Sequence, residues 1–486
     1  MNKVTKSAFN LKGVCWIALA LLVVPMFGSY FFDDMFSTVS AVFSDPSMLQ
    51  LGWDTGAYGK YTSGYSVLCI FGGLVLCGML LDKWGVRITG SIFVGLMVGG
   101  AGLVTWAITA GLEPGLSLNI AYAGCMIFGL GSEIAGVAVT RSIAKWFKDG
   151  PMALAMGLQL AIARLGTAAA FLLAPALIAE KSGEVYTLAE TARPAFVGLA
   201  LLLVGGIFWA VFVAMDGLYD KELSDNRRTA PAGYIRGSAP DNAAEGRPVA
   251  KANAESDPSI IADSDRQSPD EEFRFSDVLK VLGNRNWWLI ALLCVFFYSS
   301  IIAFKKFTGA ILVPRFGVSA TAAGMMATIL PFATVVFAPL FGLMVDRKGR
   351  GTRWMLLGAV LALCAHLLIG FAPAGKPFFG YLSMVLLGFS YSLVPAAMWP
   401  SVPKIVPEKM LGTAFALIYW VQNLGLWAFK RFAGRMMAPG SDAANAPVNT
   451  EIMFTAVCLV ALALAFALSR SSRRNPSLRL DEPNSR

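Results

Sequence analysis

Twelve apolar stretches, each long enough to cross a bilayer, constrain this chain more than any other feature. A helix rises 1.5 Å per residue, so roughly 20 apolar residues span the hydrocarbon core. Such stretches fall near 13–32, 58–81, 88–110, 118–143, 152–179 and 195–215, then 287–313, 319–345, 353–372, 377–403, 410–432 and 452–469. No soluble core absorbs this pattern. The chain is 56% hydrophobic and 15% charged, with a mean hydropathy of +0.61, whereas soluble domains carry roughly 25% charged residues. The expectation is an all-α membrane protein of twelve transmembrane helices. Its first span ends in Gly28-Ser29-Tyr30-Phe31-Phe32-Asp33-Asp34 without a small-residue cleavage site, so it reads as a retained helix.

The spans divide six and six. Residues 216–272 between them are rich in Ala, Pro, Ser, Asp and Arg and lack apolar periodicity, which reads as a disordered cytoplasmic linker. Next, Phe273 to Leu282 carries one apolar face (Phe275, Val278, Leu279, Leu282), the pattern of a short amphipathic surface helix. The implied domains are an N-terminal bundle over 1–215, the linker, a helix plus C-terminal bundle over 273–469, and a cytoplasmic tail over 470–486.

The formal charge of +9 invites a nucleic-acid reading, which its distribution removes. Lys and Arg concentrate in the N-terminal segment, the even-numbered connections and the tail. The opposite connections carry Asp33, Asp34, Asp45, Asp54, Glu113, Glu180 and Glu184. By the positive-inside rule both termini are expected in the cytoplasm, with the basic residues facing anionic lipid. The bilayer is the expected partner, and no nucleic acid is required. Seven scattered cysteines inside apolar stretches make neither a disulfide framework nor a metal site. His366 has no ligand-spaced Cys, Asp or Glu and reads as a tolerated helix residue. No nucleophile–base pair, phosphate-binding loop or nucleotide-hydrolysis motif stands out, so neither an enzyme nor a resident cofactor is expected.

An internal repeat gives the architecture. Gly78, Asp82, Lys83, Gly85 and Arg87 lie between spans 2 and 3; Gly342, Asp346, Arg347, Gly349 and Arg350 lie between spans 8 and 9. Both copies fit Gly-x-x-x-Asp-(Arg/Lys)-x-Gly, with Arg87 two positions and Arg350 one position after the last glycine, and the aspartates are 264 positions apart. The glycines permit tight turns between helix ends. The aspartate suits a releasable latch to a helix N-terminus or a basic side chain. Two such loops in equivalent positions resemble the signature of the major facilitator superfamily. That resemblance implies two six-helix bundles rocking about a central solute site.

Charges near mid-membrane are costly and usually face a cavity. Glu133 in span 4 and Arg164 in span 5 flank one connection, and both lie about 16–20 Å from it at 1.5 Å per residue. They either neutralise each other as a structural pair or face a cavity and are satisfied in part by a solute. A solute bearing both an ammonium and a carboxylate matches the second arrangement.

The surrounding residues narrow the resemblance. Gly129-Leu130-Gly131-Ser132-Glu133, Gly157 to Arg164, Gly388 to Leu393, Met398-Trp399-Pro400, Leu411-Gly412-Thr413-Ala414 and Gln422-Asn423-Leu424-Gly425 are similar to the dipeptide-transporter family within that superfamily, whose members include lysosomal and microbial proteins. The resemblance implies that Glu133 and Arg164 hold the ends of a dipeptide. No acidic dileucine sorting signal or outward glycosylation acceptor accompanies it, so a bacterial inner-membrane protein, working as a monomer, is expected. Lys305 and Lys306 depart from the pattern. They read either as snorkelling to the outer headgroups or as a second anionic contact that would favour organic anions.

Tyr65, Tyr391, Trp399, Gln422 and Asn423 are further substrate-binding candidates, with Tyr30, Tyr61, Tyr298 and Tyr419 behind them. Each also reads as packing or as an interfacial anchor. Aligning Gly129 with Gly388 and Gly166 with Gly425 gives one offset of 259, which sets Glu133 against Ser392 and Arg164 against Asn423. Both charges then come from the N-terminal half. A secondary transporter of a zwitterion, most readily a dipeptide, is the expected function. The alternatives are another amino-acid-like solute, an organic anion, or a transport-inactive sensor or scaffold.

Overall fold

A computed structural model describes residues 13–45, 48–49, 52–148, 151–178, 187–229, 275–407, 410–440 and 445–483. Twelve long helical runs cross it. In the first half α1 is Val14–Asp34. α2 begins as Thr55–Leu68, passes a π-helical turn at Cys69–Gly73 and continues from Leu74 to a break at Gly85. α3 follows that break and ends at Thr109. Then come α4 Pro114–Trp146, α5 Met152–Ile178 and α6 Leu188–Thr229. The second half opens with a surface helix, Phe275–Leu282. α7 then runs Arg285–Tyr298, through a π-helical turn at Ser299–Ala303 and the short piece Phe304–Lys306, to Thr308–Phe316. α8 Ala320–Lys348, α9 Gly351–Phe371, α10 Pro377–Met398, α11 Leu411–Met436 and α12 Ala446–Arg474 complete it.

Local chemistry sets the ends. Asp54 caps α2 by accepting from the Ala57 N–H at 2.5 Å, and Asn284 caps α7 by accepting from Asn286 and Trp287. Pro114 and Pro377 open α4 and α10, where their missing donors cost nothing. Gly85 (φ 75°) and Gly349 (φ 62°) make the turns between α2 and α3 and between α8 and α9, in a region that L side chains avoid.

Ten of the twelve runs are apolar enough to cross a membrane by composition alone. α2 and α11 are the exceptions, and the packing explains them. They cross each other between the halves, with the Gly59 and Gly434 backbones so close that a Cβ on Gly59 would lie 2.7 Å from the Gly434 Cα. Their polar residues therefore face protein or cavity instead of lipid. α5 and α8 form the second crossing between the halves.

One boundary differs from the sequence expectation. α6 continues beyond residue 215 to Thr229, so the first part of the expected linker is helical. The driving contacts are ionic. Asp216 accepts from Lys145 at 2.8 Å and from the Trp146 indole at 2.8 Å, and Arg87 reaches Asp220 at 3.2 Å. Residues 230–272, the rest of that expected linker, lie outside the described residues. The tail is partly ordered as well: Leu480 is buried and Asp481 binds the start of α9.

Candidate functional site

An even number of crossings places the start of α1 and the end of α12 on one face, here the termini face. Near the opposite face the halves are sealed together. The Tyr58 hydroxyl donates to the Lys306 carbonyl at 3.0 Å, Gly309 N–H donates to the Ser37 carbonyl at 2.9 Å, and Ala310 N–H donates to the Ser40 hydroxyl at 3.0 Å. Four charges complete the seal. Lys305 meets Asp34 at 2.7 Å; Lys306 meets Asp33 at 2.7 Å and Asp34 at 2.8 Å. Lys306 also donates to the Asp33 carbonyl, and Thr167 donates to Asp34 at 2.8 Å.

This corrects two sequence expectations. Asp33 and Asp34 are not part of a solvated connection but form the last turn of α1, with Asp34 fully buried. Lys305 and Lys306 do not snorkel, because both are buried, and both are already paired with carboxylates of this chain. Local sequence could not reveal the pairing, since the partners are 271 and 272 positions apart.

On the termini side of the seal lies a cavity of about 740 Å³, lined by residues of both halves. Glu133 from α4 and Arg164 from α5 both line it. They do not pair with each other. Glu133 accepts from the Tyr65 hydroxyl at 3.0 Å, and that hydroxyl is 3.3 Å from Ser132, which contacts Ser29 at 2.5 Å. The Arg164 guanidinium reaches the Tyr391 hydroxyl at 3.4 Å. It also lies over the Tyr391 and Tyr30 rings, at 5.3 and 5.6 Å from their centroids. Neutral phenols and π faces hold both charges in place without cancelling them.

The other candidates converge on the same walls. Tyr298, Tyr391, Trp399 and Tyr419 form an aromatic side: the Trp399 indole donates to the Tyr298 hydroxyl at 3.1 Å and stacks on Tyr419 at 5.1 Å. Gln422 accepts from Cys294 at 3.4 Å, and Asn423 donates to the Tyr419 carbonyl at 3.1 Å. Ser392 and Asn423, the repeat equivalents of Glu133 and Arg164, also line the cavity. Tyr61 does not; it packs among Phe36, Trp53 and Tyr58.

Sequence reasoning overlooked Lys430. It lines the cavity from α11, is 2% exposed, donates to the Thr62 carbonyl at 3.3 Å and lies 5.4 Å from the Tyr65 ring centroid. The C-terminal half therefore contributes a charge after all. The available signal was the i, i+4, i+8 series Gln422, Leu426, Lys430, all three of which face the cavity. His366 also has a partner that ligand spacing did not reveal. Its Nδ1 lies 2.8 Å from the Glu451 carboxylate, both fully buried between α9 and α12 and away from the cavity.

The repeated loops diverge in their surroundings. Lys83 and Arg87 are exposed on the termini face; Arg87 engages Asp216 and Asp220 of α6, and the side chain of Asp82 lies outside the described residues. In the second copy Gly342 lines the cavity, while Arg347 and Arg350 are exposed. The tail closes this loop. Arg350 N–H donates to the Asp481 carbonyl at 2.8 Å, and the N–H and hydroxyl of Thr352 donate to the Asp481 carboxylate at 2.9 and 2.8 Å. A tail carboxylate thus caps the α9 N-terminus. Gly78 has open space around it.

Two six-helix bundles around one cavity that holds charged side chains, joined on one face, define a solute carrier of the membrane. The chain belongs to the Major Facilitator Superfamily, whose family model matches residues 26–429. It is a multi-pass transporter and not an enzyme. It is similar to the lysosomal dipeptide transporter MFSD1 of Danio rerio, at 26% identity over 85% of this chain and 78% of that protein. The MFSD1 protein of Homo sapiens is also 26% identical, over 87% and 79%. Among solved structures, a bacterial homologue of the human lysosomal transporter Spinster superposes with a TM-score of 0.64 at 14% identity, covering 95% of this chain and 98% of that one. The D-xylose-proton symporter superposes at 0.63 and 15% identity, covering 94% and 96%. At these identities the two structures speak to fold alone.

Proposed function

We propose that this protein moves dipeptides, or zwitterions of similar length, across the inner membrane of a bacterial cell by alternating access. One observation carries the reading: Glu133 and Arg164 line the same cavity, and neither spends its charge on the other. A carboxylate accepts an ammonium, and a guanidinium takes a carboxylate through two parallel donors. A solute with those groups at its two ends satisfies both, and the named activity of the relatives agrees. The aromatic wall of Tyr298, Tyr391, Trp399 and Tyr419 accommodates apolar or aromatic side chains without fixing their identity.

Alternating access draws support from the asymmetry of closure. Ionic and backbone contacts tie the halves near the face opposite the termini, and the cavity lies on the other side of them. Exposed Lys83, Arg87, Arg347 and Arg350 on the termini face favour a cytoplasmic placement of both termini. The two repeated loops act in this reading as the releasable contacts of the cytoplasmic gate.

A specific observation keeps a second reading in play. Lys430 adds a cation to the cavity wall, which suits an organic anion. Purified protein challenged with a dipeptide library in a thermal-stability assay, followed by uptake into proteoliposomes, separates the two. Stabilisation by dipeptides with loss in Glu133→Gln and Arg164→Lys supports the first reading. Stabilisation by organic anions alone overturns it. Binding by dipeptides without any uptake would favour a sensor.

A further inference from the structure

The buried charges around the cavity fall into two sets. Asp33, Asp34, Lys305 and Lys306 cancel among themselves within the seal. Glu133, Arg164 and Lys430 do not, and these three leave one positive charge in excess. Lys430, like Arg164, is left with donors to spare. Its ammonium has three donors; the Thr62 carbonyl at 3.3 Å accepts one, the Tyr65 ring lies beside it, and no carboxylate of the described residues pairs with it. A cation 98% buried in the membrane interior, with donors to spare and a cavity in front of it, is poised for an anion.

We propose that Lys430 determines side-chain specificity by meeting a carboxylate on the first residue of the peptide. The inference rests on the dipeptide reading and deepens it. Tyr65 ties the two groups together: its hydroxyl donates to Glu133 and its ring carries the Lys430 ammonium. A peptide ammonium held at Glu133 places the first residue's α-carbon, and so its side chain, next to Lys430. The terminal carboxylate then extends toward Arg164, where Tyr391 and Tyr30 hold the guanidinium. An acidic first side chain neutralises the excess charge, a basic one adds to it, and an acidic second residue gains less because the terminal carboxylate already neutralises Arg164 beside it.

The test measures binding of glutamyl-alanine, glutaminyl-alanine, lysyl-alanine and alanyl-glutamate to the purified full chain. Glutamyl-alanine is expected to bind about tenfold or more tightly than its neutral isostere, with lysyl-alanine weakest and alanyl-glutamate in between. In Lys430→Met the ratio of glutamyl-alanine to glutaminyl-alanine falls to near one, whereas Lys430→Arg retains the preference. Equal binding of those two peptides by the natural chain overturns the proposal without need of any variant, as does a preference that survives in Lys430→Met. If no dipeptide binds but free glutamate or a dicarboxylate does so in a Lys430-dependent manner, the dipeptide reading falls and the anion-binding role of Lys430 stands. If no anionic solute binds, that role falls as well.

Discussion

Two regions of this protein place charge inside the membrane, and they resolve it in opposite ways. At the seal, two aspartates and two lysines meet at 2.7–2.8 Å and compensate one another completely. In the cavity, Glu133, Arg164 and Lys430 rest on a phenol, two aromatic rings and a peptide carbonyl, none of which can neutralise them. A compensated cluster joins the halves and needs nothing else; an uncompensated one is incomplete until a solute arrives. The contrast separates a structural device from a binding site where residue type alone would not, since both regions use the same Asp/Glu and Lys/Arg chemistry.

The comparison breaks first at the seal. Asp34→Leu leaves Lys305 without its carboxylate and Lys306 with Asp33 alone, and removing one partner of a buried pair costs about 3–5 kcal/mol. A large fall in melting temperature in detergent is expected, alongside poor expression. Glu133→Gln and Arg164→Lys should instead retain the fold and lose dipeptide binding by about a hundredfold, the equivalent of about 2–3 kcal/mol. Calorimetry and thermal melts on the same preparations distinguish these outcomes. If the cavity variants melt early while the seal variant does not, the assignment of roles is inverted.

A steric change sharpens the comparison without altering charge. Gly59→Leu pushes a side chain into the α2–α11 crossing, where even a Cβ would lie 2.7 Å from the Gly434 Cα. The halves must part near the seal, and population of the form open to the opposite face should rise. Spin-label distances across that face report it, and an unchanged distribution would disprove the seal. A smaller effect is expected for Tyr65→Phe, which removes the donor to Glu133 and should weaken dipeptide binding by about 5- to 13-fold, from a hydrogen bond of about 1–1.5 kcal/mol. The smallest belongs to the tail. Asp481→Asn weakens the cap on α9 and should lower stability by about 0.5–1 kcal/mol, read as a modest shift in melting temperature with transport retained.

Much of this molecule was legible before its structure. The twelve spans, the duplicated loops and the surface helix at Phe275–Leu282 are statements about local hydropathy and spacing, which a sequence carries directly. The repeat offset also set Ser392 and Asn423 on the cavity wall opposite the two charges. What remained hidden shares one property. Asp34 with Lys305, His366 with Glu451, and Lys430 with Thr62 and Tyr65 are all pairings between distant helices, and one of them spans 368 positions. Lys430 looks like an interfacial lysine near the end of its span until α2 is packed against α11. Asp33 and Asp34 look like loop residues until α7 folds over them.

The sequence by itself determined that this chain crosses a bilayer, that it does so in two related halves, and that Glu133 and Arg164 are charges within apolar spans. Helical rise and the cost of charge in hydrocarbon depend only on composition along the chain. Tertiary structure alone decided which charges are spent and which are available. Compensation is a matter of distance between side chains brought together by packing, and no local pattern encodes whether a carboxylate lies within reach of a lysine.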